Sequence, residues 1–338
     1  MTNPIVDIKE NDILEMSPQL LGTLLKDNTM STDDKQVNIF WATDNYSHRG
    51  EGFQYNDPIT IESITGENGD VIVPRALKSR ATQQQRSREM AEVFTPSWIC
   101  NKQNNLVDSA QFGREGVFNT EIDNPDGTHT WIVNEEKITF PDGMTWQSYV
   151  NSNCLEITCG EAPYLASRYD TVTGEPIPVE RRIGLLDRKL RVVGENIHEH
   201  EEWLEWSTKA FQSIYGYEWQ GDNLVLAREA LLYTFIDYYR AKFNNDPHLK
   251  SLQKIAHIIS WNIWQMDGLK GVIPNSCIKV PAKKTLQLSL FDNEEEQPTL
   301  VDCPGCKKKD IHNHSGIYCK IMDWKEDDIL TFVSLIKK

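Results

Sequence analysis

The sequence predicts an α/β protein, with strands and helices alternating around a sheet, helical and hairpin additions, and a cysteine- and histidine-rich loop near the C-terminus. Three observations carry this. A short apolar strand, Asn153 to Thr158, runs into a glycine turn at Cys159-Gly160. An aromatic-rich helical stretch spans Glu195 to Phe243, followed by a helix (Lys250 to Ser260) and a strand (Trp261 to Asp267). A further strand, Tyr318 to Met322, and a helix, Glu326 to Lys337, close the chain. Strands separated by helical segments favour a sheet covered by helices.

The remaining elements follow in chain order. Pro18 to Lys26 reads as a short helix with Leu20, Leu21, Leu24 and Leu25 apolar. From Val37 to Val73 the text is strand-like and turn-rich, with alternation at Val37-Asn38-Ile39-Phe40-Trp41 and a turn at Thr65-Gly66-Glu67-Asn68-Gly69-Asp70. Pro74 to Glu92 reads as a polar helix and is the most basic stretch, holding Arg75, Lys78, Arg80, Arg86 and Arg88. It is either a solvated face or a phosphate contact. Pro96 to Ala110 is a helix opened by Thr95 as cap with Pro96 at its first position. A hairpin turns at Asn124-Pro125-Asp126-Gly127. Residues 280–300, with Lys283, Lys284 and Asp292-Asn293-Glu294-Glu295-Glu296, read as an exposed loop.

With 338 residues, 39% of them hydrophobic and ten Trp among them, the chain can bury a substantial core. No apolar run reaches membrane-spanning length, and the start Met1-Thr2-Asn3-Pro4 lacks the features of a signal peptide. The expectation is a cytoplasmic protein without membrane partners. Thirty-five Lys and Arg stand against 50 Asp and Glu, a net charge of −15. Such acidity argues against strong autonomous binding to phosphates, though a local basic face is compatible with it. Seven Cys, an odd number with three late in the chain, do not read as a secreted disulfide framework.

Two stretches carry chemistry. A strand ending in Glu156 and a turn at Cys159-Gly160 suit a nucleoside cofactor, because glycine lets backbone N–H groups approach a ligand and a strand-end carboxylate accepts from an ammonium or from hydroxyls. Cys303-Pro304-Gly305-Cys306 is the usual two-ligand knuckle for zinc. Cys319 with one of His312 and His314 would complete a structural Cys3His site within seventeen residues. Two weaker patterns point elsewhere. Pro125-Asp126 followed by Glu135-Glu136-Lys137 fits a permissive magnesium nuclease pattern, although Asp126 is more simply a turn residue. Aromatics from Trp203 to Tyr239 have helical spacing and are assigned to the core, as Cys154 and Cys159 are.

Leu155-Glu156-Ile157-Thr158-Cys159-Gly160-Glu161-Ala162 resembles the cofactor loop of N6-adenine DNA methyltransferases, where Leu-Glu-Pro-x-Cys-Gly-x-Gly is common. About sixty residues earlier, Val93-Phe94-Thr95-Pro96 resembles the Phe/Tyr-Thr-Pro segment of the same family. Asn262-Ile263-Trp264-Gln265-Met266-Asp267 is similar to its second strand, Asn-Ile-Tyr-Gly-x-Asp, and Ile321-Met322-Asp323-Trp324 to the end of its third. More narrowly, the chain from Ile39-Phe40-Trp41-Ala42-Thr43-Asp44 onward resembles bacterial proteins labelled restriction endonuclease subunit M. The resemblance implies a Rossmann-like fold that binds S-adenosylmethionine. Glu156, Cys159 and Gly160 would line the loop, Thr95 would meet the methionine end, Asp267 the ribose and Asp323 the adenine. The implied partners are DNA and a second protein subunit. The expected division is an N-terminal extension, 1–92, and a methyltransferase-like domain, 93–338, with a largely helical insertion at 166–250 and the Cys/His loop at 280–320.

The resemblance is incomplete. The family receives the target amine on Asn/Asp-Pro-Pro-Tyr/Phe, and this sequence has no such tetrapeptide. Asn245-Asp246-Pro247-His248 is nearest but precedes Asp267, and only 15 residues follow Asp323. The loop's second glycine is replaced by Ala162. A partner chain supplying the motif, an unrecognised substitute, and a cofactor- or DNA-binding subunit without chemistry all remain open.

Overall fold

A computed structural model describes residues 9–89, 92, 95–281 and 300–337. The expected exposed loop falls almost wholly on 282–299 and so lies outside the described residues, as do Val93 and Phe94. The chain divides into two compact units, Met1–Trp264 and Gln265–Lys338, so the boundary expected at 92/93 falls inside the first. The fold is mixed α/β with small sheets, the largest of them three-stranded among the described residues.

In chain order the first unit holds α1 (Glu10–Met16), α2 (Pro18–Leu25), α3 (Ile61–Ile64), α4 (Arg80–Glu89) and α5 (Ser97–Phe112). A hairpin of β1 (Asn119–Asp123) and β2 (His129–Val133) follows, then α6 (Trp146–Val150) and β3 (Cys154–Glu156). The remainder is α7 (Leu185–Asn196), α8 (His200–Gln212), β4 (Ile214–Glu218), α9 (Gly221–Phe243), α10 (Leu249–Asn262) and β5 (Ile263–Gln265). The sheet order is β3-β4-β5. β3 and β4 run parallel with Cys154 opposite Ile214 and Glu156 opposite Gly216, so a crossover must join them, and α7 and α8 supply it.

α9 is the central helix. Its 23 residues bury side chains on every face, the mark of a helix surrounded by protein. Trp203 on α8 packs against Phe235, Tyr239 and Phe243 of α9, which places the aromatic run in the core as its spacing predicts. Arg228, 1% exposed, ties α9 to its neighbours. It donates to four backbone carbonyls, those of Leu24 (2.5 Å), Lys26 (2.9 Å), Ser260 (3.1 Å) and Ile263 (2.8 Å). These are the last turn of α2, the end of α10 and the start of β5, whose carbonyls lack helical partners. Burial draws the Arg228 guanidinium down to about 10.

Several local readings need revision. β4 sits inside text that reads as continuous helix. The segment Val37 to Val73 forms isolated bridges and short helices instead of regular strands. Pro96, not Thr95, is the N-cap of α5, and no side chain caps it. The basic stretch is not solvated throughout: Arg80 and Arg88 are exposed, but Arg86 is not free to meet phosphate. Arg86 is buried against Asp222 at 2.8 Å and against Glu92, and Tyr46 donates to the same Asp222 oxygen at 2.8 Å. Asp126 closes its own hairpin turn, its Oδ1 accepting from Thr128 N at 2.9 Å and Thr128 Oγ1 at 2.6 Å.

The second unit contains β6 (Val280–Pro281), β7 (Leu300–Val301), α11 (Pro304–Lys308), β8 (Lys320–Asp323) and β9 (Asp328–Thr331). The expected terminal helix is instead β9 followed by a 3-10 turn, Phe332–Leu335, because Asp328 to Thr331 pairs antiparallel with β8. Among the described residues no helix is long and apolar enough to cross a membrane.

Replacing Arg228 by Met would leave four buried carbonyls without their donor, at about 1–3 kcal/mol for each that finds no substitute. Thermal and urea unfolding should show a loss at the upper end of single substitutions, about 4 kcal/mol or more. A loss under about 1 kcal/mol would show that Arg228 does not hold α2, α9 and α10 together.

Candidate functional site

The turn after β3 takes an unusual backbone path. Thr158 (φ 47°), Gly160 (φ 55°) and Ala162 (φ 59°) all lie in the left-handed region. A non-glycine residue there costs roughly 1–2 kcal/mol. Ala162 therefore holds a conformation that glycine would adopt more cheaply. Cys159 N donates to Tyr217 O at 2.8 Å, and Gly160 N donates to Glu218 Oε2 at 2.9 Å. Both acceptors lie at the end of β4. Gly216 makes this approach feasible, since a Cβ there would stand 3.3 Å from both Cys159 Sγ and Ile263 Cδ1.

Beside this turn opens a cavity of about 850 Å³, wholly within the first unit and lined in part by Thr95, Glu156, Cys159, Gly160, Glu218 and Trp219. Four residues expected to share a site are thus brought together. Glu218 and Trp219 escaped the sequence reading. The signal that would have found them is an acid closing a short aromatic strand before a glycine.

The cavity is acidic. Burial raises the Glu156 carboxyl well above the ordinary carboxylate range; Oε1 accepts weakly from Tyr164 N at 3.4 Å, and the buried Oε2 has no partner. Burial likewise raises Glu218 and Glu161, the latter accepting from Arg75 N at 2.7 Å and Tyr169 Oη at 2.6 Å. Behind the wall, burial alone would raise Asp222, but Arg86 and Lys78 hold it down to about 2. Arg86 consumes Glu92 and Asp222, while Glu156 and Glu218 have no ion-pair partner among the described residues. Trp219 Nε1 donates to Tyr55 Oη at 3.1 Å, giving one wall an aromatic pair. A bound group is most favoured here if it carries positive charge, hydroxyl or amine donors, and a planar ring.

Asp267 and Asp323 line no part of this cavity. Asp267 closes a tight turn in the second unit, accepting from Leu269 N at 3.1 Å and pairing with Lys270 at 2.9 Å. Asp323 does the same between β8 and β9, accepting from Lys325 N at 3.0 Å and Glu326 N at 3.3 Å.

The second unit gathers Cys277, Cys303, Cys306 and His314, with all four ligand atoms within 4.8 Å of one another. His314 Nδ1 lies 3.5 Å from Cys277 Sγ, 3.5 Å from Cys303 Sγ and 3.6 Å from Cys306 Sγ. Zinc bonds of about 2.3 Å to sulfur and 2.1 Å to nitrogen, set tetrahedrally, put those atoms about 3.6 Å apart. The cluster therefore has the dimensions to hold a metal ion. Gly305 allows it, because a Cβ would come within 2.7 Å of His314 Cγ. Ser315 N donates to Cys303 Sγ at 3.2 Å. Burial acts to raise the Cys303 thiol, but the bonds from Ser315 override it and hold the group at about 5.

The structure selects His314 over His312, which lies outside the set, and exchanges Cys319 for Cys277. Cys319 is fully buried, its thiol donating to Gln265 O at 3.4 Å, because the pleat leading into β8 turns it into the core of its unit. Cys277 escaped notice because twenty-five residues, including the acidic loop, separate it from Cys303.

No family model, no curated protein and no solved structure matches this chain.

Metal analysis of the purified protein should find about one zinc per chain. Cys277→Ser should lose it, whereas Cys319→Ser and His312→Ala should retain it. Retention by Cys277→Ser together with loss by Cys319→Ser would restore the ligand set suggested by spacing.

Proposed function

We propose that the chain is an S-adenosylmethionine-binding, DNA adenine-N6 methyltransferase-like protein of restriction–modification type, with the cofactor in the cavity beside β3 and β4. The observation that carries the reading is a pair of parallel strands ending in Glu156 and Glu218, with the left-handed glycine turn after the first hydrogen-bonded to the end of the second. A cationic sulfonium nucleoside suits an acidic cavity of this size. Its ammonium would meet Glu156, whose buried Oε2 awaits a donor. Its ribose hydroxyls would meet Glu218, and its adenine would lie against Trp219.

In this reading Glu218 replaces Asp267 as the ribose ligand. Ile214-Tyr215-Gly216-Tyr217-Glu218 resembles the family's Ile-Tyr-Gly-x-acid strand and lies parallel to β3, where the second strand belongs. The sheet β3-β4-β5 would be the cofactor end of a Rossmann-like core. The metal of the Cys3His cluster would be zinc in a structural role, since four protein ligands fill a tetrahedral shell.

When bound, the cofactor supplies an electrophilic methyl group. This chain's own residues would orient it: the carboxylates of Glu156 and Glu218 would fix the nucleoside, while the loop N–H groups of Cys159 and Gly160 hold the turn to β4 and the buried Arg86–Asp222 pair anchors α9 at the cavity wall. The missing Asn/Asp-Pro-Pro-aromatic tetrapeptide favours an arrangement in which a second subunit completes the target-base site on DNA. A cofactor- or DNA-binding subunit without chemistry is the companion reading, resting on the same absence.

Calorimetry with S-adenosylmethionine tests the site. The wild type should bind, Glu218→Ala should lose about tenfold or more in affinity, and Asp267→Ala should stay within about threefold. Affinity should rise with pH through the upshifted Glu156, which must be ionised to receive an ammonium. Absence of binding by the wild type, or loss with Asp267→Ala alone, would contradict the reading.

A further inference from the structure

A second cavity of about 900 Å³ lies in the first unit between β2, the 3-10 turn Val179–Arg181 and α7, and shares no lining residue with the first. Its floor is built from fixed arginines. Arg182 has a side chain only 6% exposed; Nε donates to Ile177 O at 3.2 Å and Nη2 to Asp237 Oδ2 at 2.6 Å, but Nη1 is buried without a partner. Arg188, with a side chain 1% exposed, is held by Asp108, Asn101 (3.0 Å) and Asn105 (2.8 Å), yet its buried Nε also lacks a partner. Buried donors without acceptors are rare in folded proteins, and two stand on the wall of this cavity, beside Asp187, whose charge acts on Arg182 and whose Oδ1 is likewise buried without a hydrogen-bond partner. At the mouth Trp131 stands beneath the exposed Arg181 at 5.7 Å, and Ile132 is 63% exposed.

We propose that this cavity binds a nucleotide unit, its phosphate on the floor at Arg182 and Arg188 and its base against Trp131 and Arg181. Rigid guanidinium heads match phosphate oxygens, and an aromatic–arginine layer stacks bases with little regard to sequence. The acids of the lining do not cancel this. Glu195 is paired with Arg191 at 2.7 Å, Asp187 gives one oxygen to Ser167 and Gly184, and Glu135 and Glu180 stand out in solvent. The assignment stands apart from the cofactor reading, and each can fail alone.

Fluorescence anisotropy of a labelled single-stranded DNA of about ten nucleotides tests it, with a deoxynucleoside monophosphate and inorganic phosphate as competitors. Trp131→Leu and Arg181→Ala should each weaken binding about tenfold, with wild-type circular dichroism and zinc content. Arg182→Gln should weaken competition by the monophosphate. Competition by the monophosphate at low concentration would identify a free nucleotide as the source, and competition only by longer strands would identify a DNA segment. Unchanged affinity in folded Trp131→Leu and Arg181→Ala would overturn the proposal. So would binding of phosphate alone, unaffected by Trp131→Leu, since the ligand would then be a bare oxyanion.

Discussion

The hydrogen bond from Gly160 N to Glu218 Oε2 is the interaction on which the cavity beside β3 and β4 depends. It joins the turn after one strand to the end of its parallel neighbour. Three left-handed residues in five are costly unless their N–H groups find acceptors. The Glu218 carboxylate of β4 accepts from Gly160 N, the Tyr217 carbonyl accepts from the intervening Cys159 N, and Ala162 N donates to Cys159 O at 2.7 Å. The same carboxylate lies at the cavity surface, so the group that shapes the turn also offers its remaining capacity to a ligand. A Cβ on Gly216 would stand 3.3 Å from Cys159 Sγ, so the absence of a side chain there gives the turn its room.

Around this bond the first unit keeps its charges sorted. Arg86, Asp222 and Tyr46 neutralise one another inside the wall, and Arg228 spends its donors on carbonyls. Glu156 and Glu218 are left facing the cavity without an ion-pair partner among the described residues, with Arg88 elsewhere on the same lining. A chain with a net charge of −15 can thus concentrate negative potential where a cationic ligand would enter, while the second cavity keeps its arginines apart from it.

Much of this was legible in sequence where the signal is local. Glu156 and Gly160 stand on a strand-to-turn transition, Asn124 to Gly127 is turn chemistry, and Cys303, Cys306 and His314 lie within twelve positions of one another. What escaped depends on distance in sequence or on burial. β4 is buried along its length, so it shows none of the alternation that marks a half-exposed strand, and long helices flank it on both sides. The strand at Asn262 drew attention because its text has an amide start and an acid end. Its first residue in fact closes α10, and Asp267 is spent on a turn with Leu269 and Lys270. Cys277 reaches its cluster only through tertiary folding, and Cys319, closer in sequence, is turned away by the pleat of β8.

The most direct test of the account is a crystal structure of the protein with S-adenosylhomocysteine, the product form of the cofactor. The account predicts density in the cavity beside β3 and β4, with the ribose hydroxyls on Glu218 and the amino group on Glu156. Density elsewhere, or ribose hydroxyls held by Asp267 with Glu218 still bound only to the Gly160 turn, would contradict it.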